Sequence, residues 1–248
     1  MTTFTPLKLA LQETLNIRNE LDWHDISLQN QALISADEIV SSSSSYPLFF
    51  TKNSHSGNFS AIALLGLQQD NIFFNGQLSS DIAYLPKSLT MLPFGLGSDP
   101  DNENQMTSCI NLESQLISLD GKASLLNEDG TECERFTQVN KALSAIFDAH
   151  VNTDHFIAEL LKHNLLMELE LNVNCDNGES KVLKGLYSLN EKRLSQLSPE
   201  DKLLFIERGY YPPIMAMLAS LVQVNRMIKL YSRNNVMNIN SINMKVIQ

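Results

Sequence analysis

Residues 122–150 read KASLLNEDGTECERFTQVNKALSAIFDAH, and the spacing of their apolar side chains changes at Gly130. Before Gly130, KASLLNEDG is typical of a short strand that ends in turn-forming residues. After it, apolar residues recur every three to four positions, as on one face of a helix: Phe136, Val139, Leu143, Ile146 and Phe147. The chain is therefore predicted to change from strands to helices near residue 130.

The segment from residue 46 to 128 predicts a largely antiparallel β-sheet. Its apolar runs are short and are separated by turns rich in Gly, Asn, Asp and Pro; the runs are FSAIALLGL, NIFFNG, LTMLPFGLG, MTSCINLESQLISLD and KASLLNEDG. Short connections favour antiparallel pairing. Because AIALLGL is apolar at nearly every position, we expect it to form a central strand covered on both faces.

The stretch SSSSSYPLFFTKN, residues 41–53, predicts a junction between a helix and a strand. Upstream of it, Ser35 and Glu38 have the three-residue spacing of a capping box, so a short helix should cover residues 36–40. The serines that follow have weak helix propensity and should end that helix. Pro47 favours extended backbone before it, and LFF continues as a strand.

The C-terminal half predicts helices and one hairpin. Two amphipathic helices should cover residues 134–163, with a break at VNT, and LLMELELNV and KVLKGLYSL should pair around the turn CDNGES. The segment SPEDKLLFIERG indicates a helix capped by Ser198 and ended by Gly209. A final helix should run from Pro213 to Tyr231, and the Asn-rich tail is either an edge strand or loose.

Together these patterns predict an α+β fold, with a largely antiparallel β-sheet in the N-terminal half and amphipathic helices and a β-hairpin in the C-terminal half. We expect a single domain over residues 1–248. The alternative is two subdomains that meet near residue 130, with the cleft between them as the natural place for a ligand.

The charge of the chain excludes one class of partner. The formal net charge is −10, the isoelectric point is near 4.9, and the sequence has no cluster of Lys and Arg. Such a chain repels phosphate backbones, so nucleic-acid binding is not expected. Apolar residues make up 43% of the 248 residues, which suffices for a packed core.

Three observations predict a soluble cytoplasmic protein without a membrane span. The N-terminal sequence MTTFTPLKLALQETLNIRNELDW lacks the basic region, apolar core and cleavage site of a secretory signal. The longest apolar run, IMAMLASLV, has about half of the roughly 20 residues that cross a bilayer. Cys109, Cys133 and Cys175 form no CxxC pair and are odd in number, so we expect reduced thiols.

The sequence carries no local signature of a catalytic, cofactor or metal site. GxSxG, P-loop and GxGxxG motifs are absent. His150 and His155 lie five residues apart, whereas helical metal-binding pairs usually lie four apart, and DPDNEN lacks the central Gly and the terminal Glu spacing of a calcium loop. We therefore expect no bound metal and no cofactor, and we assign no catalytic residue.

Two stretches rich in aromatic residues and proline are the candidates for a ligand or partner surface. They are YLPKSLTMLPF and YYPP, and their candidate residues are Tyr84, Pro86, Pro93, Phe94, Tyr210 and Tyr211. Exposed tyrosines before a helix would suit a sugar or peptide ligand. Packing against the core is the structural alternative for the same residues.

The order of these segments resembles the SapC family, which is named after a protein associated with bacterial surface-layer loci. The matching segments run from about residue 7 to 230; they are SYPLFFTKN, SAIALLGLQQDNIFFNG, IAYLPKSLTMLPFGLG, CINLES, LLNEDGTE, TDHFIAELLKHNLLMELEL, LKGLYSLNEKRLSQLSPE and LASLVQVNRMIKL. Their order and spacing carry the resemblance, since none is a catalytic signature. In the family the residues before the Pro-Phe pair are typically more basic, whereas this chain has Thr90 and Met91 there.

The resemblance implies a place in a bacterial surface-layer or surface-molecule pathway. Combined with the missing catalytic motifs, it favours a non-catalytic accessory or interaction protein that binds a protein partner. The alternative is an enzyme without a local motif that acts on a small molecule, glycan or peptide near YLPKSLTMLPF or YYPP. The sequence does not indicate an oligomeric state.

Overall fold

The computed structural model describes residues 4–10, 16–18, 20–68, 71–74, 82–118, 125, 127, 131, 133–233 and 238–247, apart from the side chains of residues 8, 9, 98, 103–105 and 118. The chain divides into two compact units. Unit 1 comprises residues 1–28 and 87–148, and unit 2 comprises residues 29–86 and 149–248.

The strands of the described ranges are, in chain order, β1 Phe4–Pro6, β2 Asn16–Ile17, β3 Gln31–Leu33, β4 Leu48–Lys52, β5 Phe59–Leu64, β6 Phe94–Asp99, β7 Asn102–Asn111, β8 Ile117–Ser118, β9 Leu166–Cys175, β10 Ser180–Leu189 and β11 Ile239–Val246. The helices are α1 Leu7–Ala10, α2 Trp23–Ser27, α3 Ile39–Ser43, α4 Lys87–Thr90, α5 Glu134–Lys162, α6 Glu191–Ser195, α7 Pro199–Glu207, α8 Tyr211–Ser220 and α9 Gln223–Arg233, with a 3₁₀ turn Ala36–Glu38 before α3.

Unit 1 is built on a three-stranded antiparallel sheet in the order β1-β7-β6, and a second, two-stranded sheet joins β2 to β8. In the larger sheet Phe94 lies opposite Ile110, and both side chains are buried. Directly opposite residues share a face, so this pair marks the face that the core covers. The core takes side chains from both sheets, from α1, from the first half of α5 and from two residues outside these elements, Leu116 and Leu125. Its other members are Leu7, Ala10, Ile17, Phe94, Ile110, Phe136 and Leu143.

Unit 2 is built on a six-stranded antiparallel sheet in the order β11-β9-β10-β4-β5-β3. Along β9, from Leu169 to Cys175, buried residues alternate with partly exposed ones, as expected of a strand with one face on the core. Helix α8 contacts β4 and β10, and α9 contacts β11. The buried Tyr231 of α9 accepts a hydrogen bond from the backbone N–H of Leu67 over 2.7 Å.

The α+β class is confirmed, and several elements lie where the sequence predicts them. The hairpin of β9 and β10 turns at Gly178, whose φ is +84°. Helix α7 is capped by Ser198, whose hydroxyl accepts the N–H of Asp201 over 3.0 Å. It stops before Gly209, whose φ of +69° a residue with a Cβ adopts at a cost. The tail forms an edge strand, β11.

The strands between residues 46 and 128 pair antiparallel, as predicted, but the structure divides them among separate sheets. Strands β4 and β5 belong to unit 2, whereas β6 and β7 belong to unit 1. NIFFNG is a turn over residues 71–74, because the side-chain and main-chain oxygens of Asn71 accept the N–H groups of Phe73 and Phe74. LTMLPFGLG starts in α4, and most of KASLLNEDG lies outside the described residues.

The predicted break between two helices at VNT is wrong, because α5 is continuous over 29 residues. Thr153 fits this helix since its hydroxyl donates to the carbonyl of Ala149 over 2.7 Å and accepts the N–H of Ala36 over 2.8 Å. The buried apolar residues of α5 also do not all lie on one side of the helix. Leu143 and Phe156 are thirteen residues apart, which at about 100° per residue places them on different sides of one helix.

Two other helix boundaries differ from the prediction. The helix predicted from Pro213 to Tyr231 is two helices, α8 and α9, that meet at residues 221–222. Ser220, the last residue of α8, donates to the carbonyl of Met217 over 2.6 Å and accepts the N–H of Leu48, so its hydroxyl competes for helix backbone groups. Helix α3 extends to Ser43 rather than ending at Val40, with the Ser43 hydroxyl bonded to the Val40 carbonyl.

Candidate functional site

Unit 1 contains an open groove between the β6–β7 sheet and helix α5. Its volume is about 530 Å³, within the range of about 300–1,000 Å³ that is usual for ligand sites. The residues that line it come from one strand pair and one stretch of helix: Leu96, Met106, Thr107, Ser108, Leu143, Ser144, Phe147 and Asp148.

Strand register and helix spacing place these side chains together. Leu96 lies opposite Ser108, two residues along from the core pair of Phe94 and Ile110 and therefore on the same face of the sheet. The Ser108 hydroxyl donates to Oδ1 of Asn140 over 2.9 Å and so ties β7 to α5. Leu143 and Phe147 are four residues apart and share a side of α5. The groove therefore continues the apolar core of unit 1 outward to the surface.

The lining combines exposed apolar side chains with one charge. Met106 is 49% exposed and Phe147 is 40% exposed, which are high values for side chains of this size. Among the lining residues Asp148 is the one with an ionisable side chain, and the other polar groups are hydroxyls. Such a surface can bind an apolar group beside a cation or hydrogen-bond donor. The lining residues offer no Cys or His for nucleophilic or general-base chemistry.

The strands beside the groove approach their neighbours closely at two glycines. A Cβ at Gly97 would lie 2.8 Å from Sγ of Cys109, and a Cβ at Gly95 would lie 2.9 Å from Cε1 of Phe4. Both distances are shorter than normal contacts between such atoms, so Gly is required there unless a neighbour moves. Burial raises the pKa of the Cys109 thiol, and the charge of Asp99 adds to that shift. Cys109 is therefore a packing residue rather than an activated nucleophile.

The predicted residues Pro93 and Phe94 lie next to this groove but not in it. Both are buried, and the Leu92–Pro93 peptide bond is cis. The carbonyl of Pro93 accepts the N–H of Asn111 over 2.8 Å, which fixes the start of β6 against β7. Two residues after Phe94 on the same face comes Leu96, which lines the groove. The sequence identified the strand that builds the groove and missed the lining residues.

Tyr84 and Pro86 lie in unit 2, where Pro86 is buried and Tyr84 is hydrogen-bonded to buried residues. The Tyr84 hydroxyl donates to Oε1 of Glu38 over 2.9 Å, and the Tyr84 carbonyl accepts the hydroxyl of Tyr46 over 2.8 Å. Glu38 is 4% exposed and also accepts the N–H and hydroxyl of Ser35. Burial raises the pKa of Tyr84, and the hydrogen bond to Glu38 raises it further.

Tyr210 and Tyr211 precede and begin α8. The ring of Tyr210 packs edge-on against Phe156, with 5.1 Å between centroids, and against Phe205, with 5.7 Å. It is thus part of the aromatic core of unit 2, while Tyr211 is partly exposed. For all six residues, the role of a ligand or partner surface stays a prediction.

Unit 1 also contains a buried pair of carboxylates that no sequence motif predicts. Asp22 is 1% exposed and Asp25 is 6% exposed, and the N–H of Asp25 donates to Oδ1 of Asp22 over 3.0 Å. Asn111 donates its side-chain amide to Asp25 over 2.6 Å, and Ser114 donates its hydroxyl to Asp22. Burial raises the pKa of Asp25, whereas the hydrogen bond from Asn111 lowers it. The charges of Asp22 and Glu113 add to the increase.

A second charged cluster joins α5 to α7 in unit 2. Arg208 Nη1 lies 3.0 Å from Oε1 of Glu159, and His163 lies 3.7 Å from both Glu159 and Asp201. Burial acts to raise the pKa of Glu159, but the hydrogen bonds and charges of Arg208 and Lys162 together lower it. The distances of 3.7 Å exceed hydrogen-bond length, so the cluster links two helices without forming a base–carboxylate dyad.

The histidines and cysteines considered for metal binding and disulfides lie at separate places in the structure. Among the residues that the structure describes, no group of three or more His, Cys, Asp or Glu side chains could hold a metal ion. His150 and His155 both lie on α5, where five residues separate them by about 140° around the helix. Cys109 and Cys175 are buried free thiols, and Cys133 is a partly buried one. Within the described ranges, no helix combines the length and apolarity of a membrane span.

Comparison with known proteins gives one match. The model of the family described as SapC matches residues 12–227, which includes the groove, the buried carboxylates and most of unit 2. No curated protein and no solved structure matches the chain. The family match extends over far more than half of the 248 residues. The chain therefore belongs to the SapC family.

Proposed function

We propose that this protein is a non-catalytic, cytoplasmic accessory protein of a bacterial surface-layer or surface-molecule pathway, and that it acts by binding a protein partner in the groove of unit 1. Membership of the SapC family supports the pathway, because the resemblance on which it was first suggested implies a link to bacterial surface-layer loci. The mode of action rests on the groove itself.

The observation that carries the proposal is the exposure of two large apolar side chains, Met106 and Phe147, that both line the groove. Exposed side chains of this size, set beside a hydrophobic floor formed by Leu96 and Leu143, are typical of surfaces that another molecule covers. Met and Phe are also enriched in protein interfaces. An enzyme site would instead bring several ionisable side chains together, whereas the lining contributes Asp148 alone.

The charge of the site indicates the chemistry of the partner. Asp148 is exposed and lines the groove, and the whole chain carries a net charge of −10. A segment with one large apolar side chain and a neighbouring Lys or Arg would fill the groove and pair with Asp148. The negative field of the whole chain would speed the encounter with such a basic segment.

An enzymatic function is the second candidate, and Asp25 is the observation that favours it. A carboxyl with a raised pKa beside a second carboxylate is a common arrangement of general acids. Against it, Asp22 and Asp25 are 1% and 6% exposed, and their hydrogen bonds run to Ser114 and Asn111 in the same unit. These contacts explain the two carboxylates as structural groups that connect α2 to the C-terminal end of β7 and the turn after it.

Affinity purification from the native cell, combined with metabolite profiling of a deletion strain, separates the two candidates. The accessory function predicts a partner that copurifies with the wild-type protein and with Val182→Asp but is lost with Phe147→Asp. Val182 is 45% exposed on β10, in unit 2, so its variant controls for the added charge. If a metabolite accumulates in the deletion strain and the purified protein converts it unaided, the accessory function is wrong.

A further inference from the structure

Strand β11 is an edge strand of the six-stranded sheet, and within the described residues no further strand pairs with its outer side. Within the described residues its strand partner is β9, and the backbone N–H of Ile247 donates to the carbonyl of Glu168 over 2.9 Å. In an antiparallel ladder, alternate residues point their backbone groups to the same side. The N–H and C=O groups of Ile242, Met244 and Val246 therefore point away from β9, toward the open side.

The two faces of this edge differ in polarity. Ile242, Met244 and Val246 lie opposite Val173, Leu171 and Leu169, whose side chains are buried on the core face of the sheet. On the other face, Ser241, Asn243 and Lys245 lie opposite Asn174, Asn172 and Glu170. Met244 is 46% exposed and Val246 is 49% exposed, so both apolar side chains remain accessible although α9 contacts this strand. A strand that fits this edge must alternate apolar and polar residues in the same way.

We propose that two copies of this chain associate through β11, antiparallel and about a two-fold axis at Met244, so that the two sheets become continuous. In this register Ile242 of one copy lies opposite Val246 of the other, and the two Met244 residues face each other. All three outward-pointing residues then exchange backbone hydrogen bonds with the second copy. The proposal concerns unit 2 and is independent of the groove in unit 1.

A second copy is the occupant that the edge favours, because β11 has the alternation that the edge requires. A two-fold axis perpendicular to the sheet keeps the core faces of both copies on one side, so apolar residues meet apolar residues. The strand has one charged residue, Lys245, and the Met244 register places it opposite Asn243 of the other copy rather than opposite a second Lys245. Natural edge strands are often protected from pairing by proline or by several charged residues. Strand β11 contains no proline and no charged residue other than Lys245.

Sedimentation equilibrium of the full chain tests this proposal. The wild type should change from monomer to dimer between about 1 and about 500 μM, and high salt should strengthen the dimer because each copy carries a net charge of −10. Met244→Lys places two like charges across the axis and should weaken association at least about tenfold. Val182→Lys, at a similarly exposed apolar position away from the edge, should leave the dimer unchanged. A wild type that stays monomeric at every concentration overturns the proposal.

Disulfide trapping tests the register without relying on a loss of association. Opposite residues that exchange backbone hydrogen bonds have Cα atoms about 5.5 Å apart, within disulfide range. Under mild oxidation Met244→Cys should form a covalent dimer, whereas Lys245→Cys and the wild type, with its three native thiols, should not. Equal cross-linking of the two variants overturns the proposed register. If the chain stays monomeric and β11 amides become protected only when a different protein binds, the edge serves a foreign strand and the proposal of a second copy is wrong.

Discussion

The phenolic oxygen of Tyr84 lies 2.9 Å from Oε1 of the buried Glu38, to which it donates a hydrogen bond. This contact spans 46 residues of sequence and holds the chain after residue 81 against the turn that precedes α3. Tyr84 is thus one of the residues that organise unit 2, although the sequence suggests it first as a ligand contact.

Replacing Tyr84 with Phe should lower the free energy of unfolding by about 1–3 kcal/mol, because the buried carboxylate of Glu38 loses the hydroxyl that donates to its Oε1. Urea unfolding followed by circular dichroism measures the change. Tyr211→Phe is the matched control, since Tyr211 is partly exposed at the start of α8, and it should change stability by less than about 0.5 kcal/mol. Equal effects of the two variants would show that the Glu38 contact is not stabilising.

Asp25 should make the stability of the protein depend on pH below neutrality. Its pKa is raised above 3.8 in the folded state, mainly by burial, so the folded state binds this proton more tightly than the unfolded state. The resulting stabilisation is complete below about pH 3.8 and is lost as the pH rises through the folded-state pKa. Asp25→Asn lacks this loss, so its stability relative to wild type should increase from pH 3 to pH 7.

Unfolding curves of wild type and Asp25→Asn at a series of pH values measure this dependence. Glu20→Gln is the control for removal of a negative charge, because the Glu20 side chain is 52% exposed and pairs with Arg18 at the surface. A stability difference between Asp25→Asn and wild type that is constant over the whole pH range would contradict the assignment of a raised pKa.

Gly97→Ala should destabilise the protein by about 1–3 kcal/mol, because the new Cβ would lie 2.8 Å from Sγ of the buried Cys109. Removing that sulfur should relieve the clash. The double variant Gly97→Ala with Cys109→Ala should therefore be more stable than the sum of the two single changes predicts. Thermal unfolding of the four proteins gives the coupling energy, and strictly additive effects would indicate that the two positions do not touch.

Ser198→Ala should destabilise the protein by about 1 kcal/mol, since it removes the hydroxyl that accepts the N–H of Asp201 at the start of α7. Ser195→Ala is a close control, because the Ser195 hydroxyl is exposed and donates to a carbonyl three residues earlier. Its change should stay within about 0.5 kcal/mol. If Ser195→Ala lowers the free energy of unfolding as much as Ser198→Ala does, the hydrogen bond of the N-cap is not the cause of the effect.

Local signals were sufficient for the elements whose determinants are close in sequence. Helix α7 has its cap, its acidic first turn and its terminal glycine within twelve residues, and the hairpin of β9 and β10 has its turn at Gly178. The continuity of α5 was missed because the contact that satisfies Thr153 comes from Ala36, over a hundred residues away. The spacing of apolar residues alone cannot distinguish two helices from one long helix that has apolar residues on different sides in its two halves.

The candidate site was hidden from the sequence for the same reason. Leu96 and Phe147 are 51 positions apart, and no motif links them. The buried acids Asp22 and Asp25 depend on Ser114 and Asn111, which are 92 and 86 positions away. A possible signal was the position of Asn111 and Ser114 in CINLES, one of the segments that carry the family resemblance, but their partners can be read only from the fold.

Site-specific photo-crosslinking in the native cell tests the central claim most directly. A photo-reactive residue at Ser144, which is exposed and lines the groove, should capture one discrete protein, whereas the same residue at the exposed Asn225 of α9 should not. Adding Phe147→Asp should abolish the Ser144 product and adding Val182→Asp should leave it unchanged. A Ser144 product that persists with Phe147→Asp, or no product from Ser144 at all, would contradict partner binding in the groove.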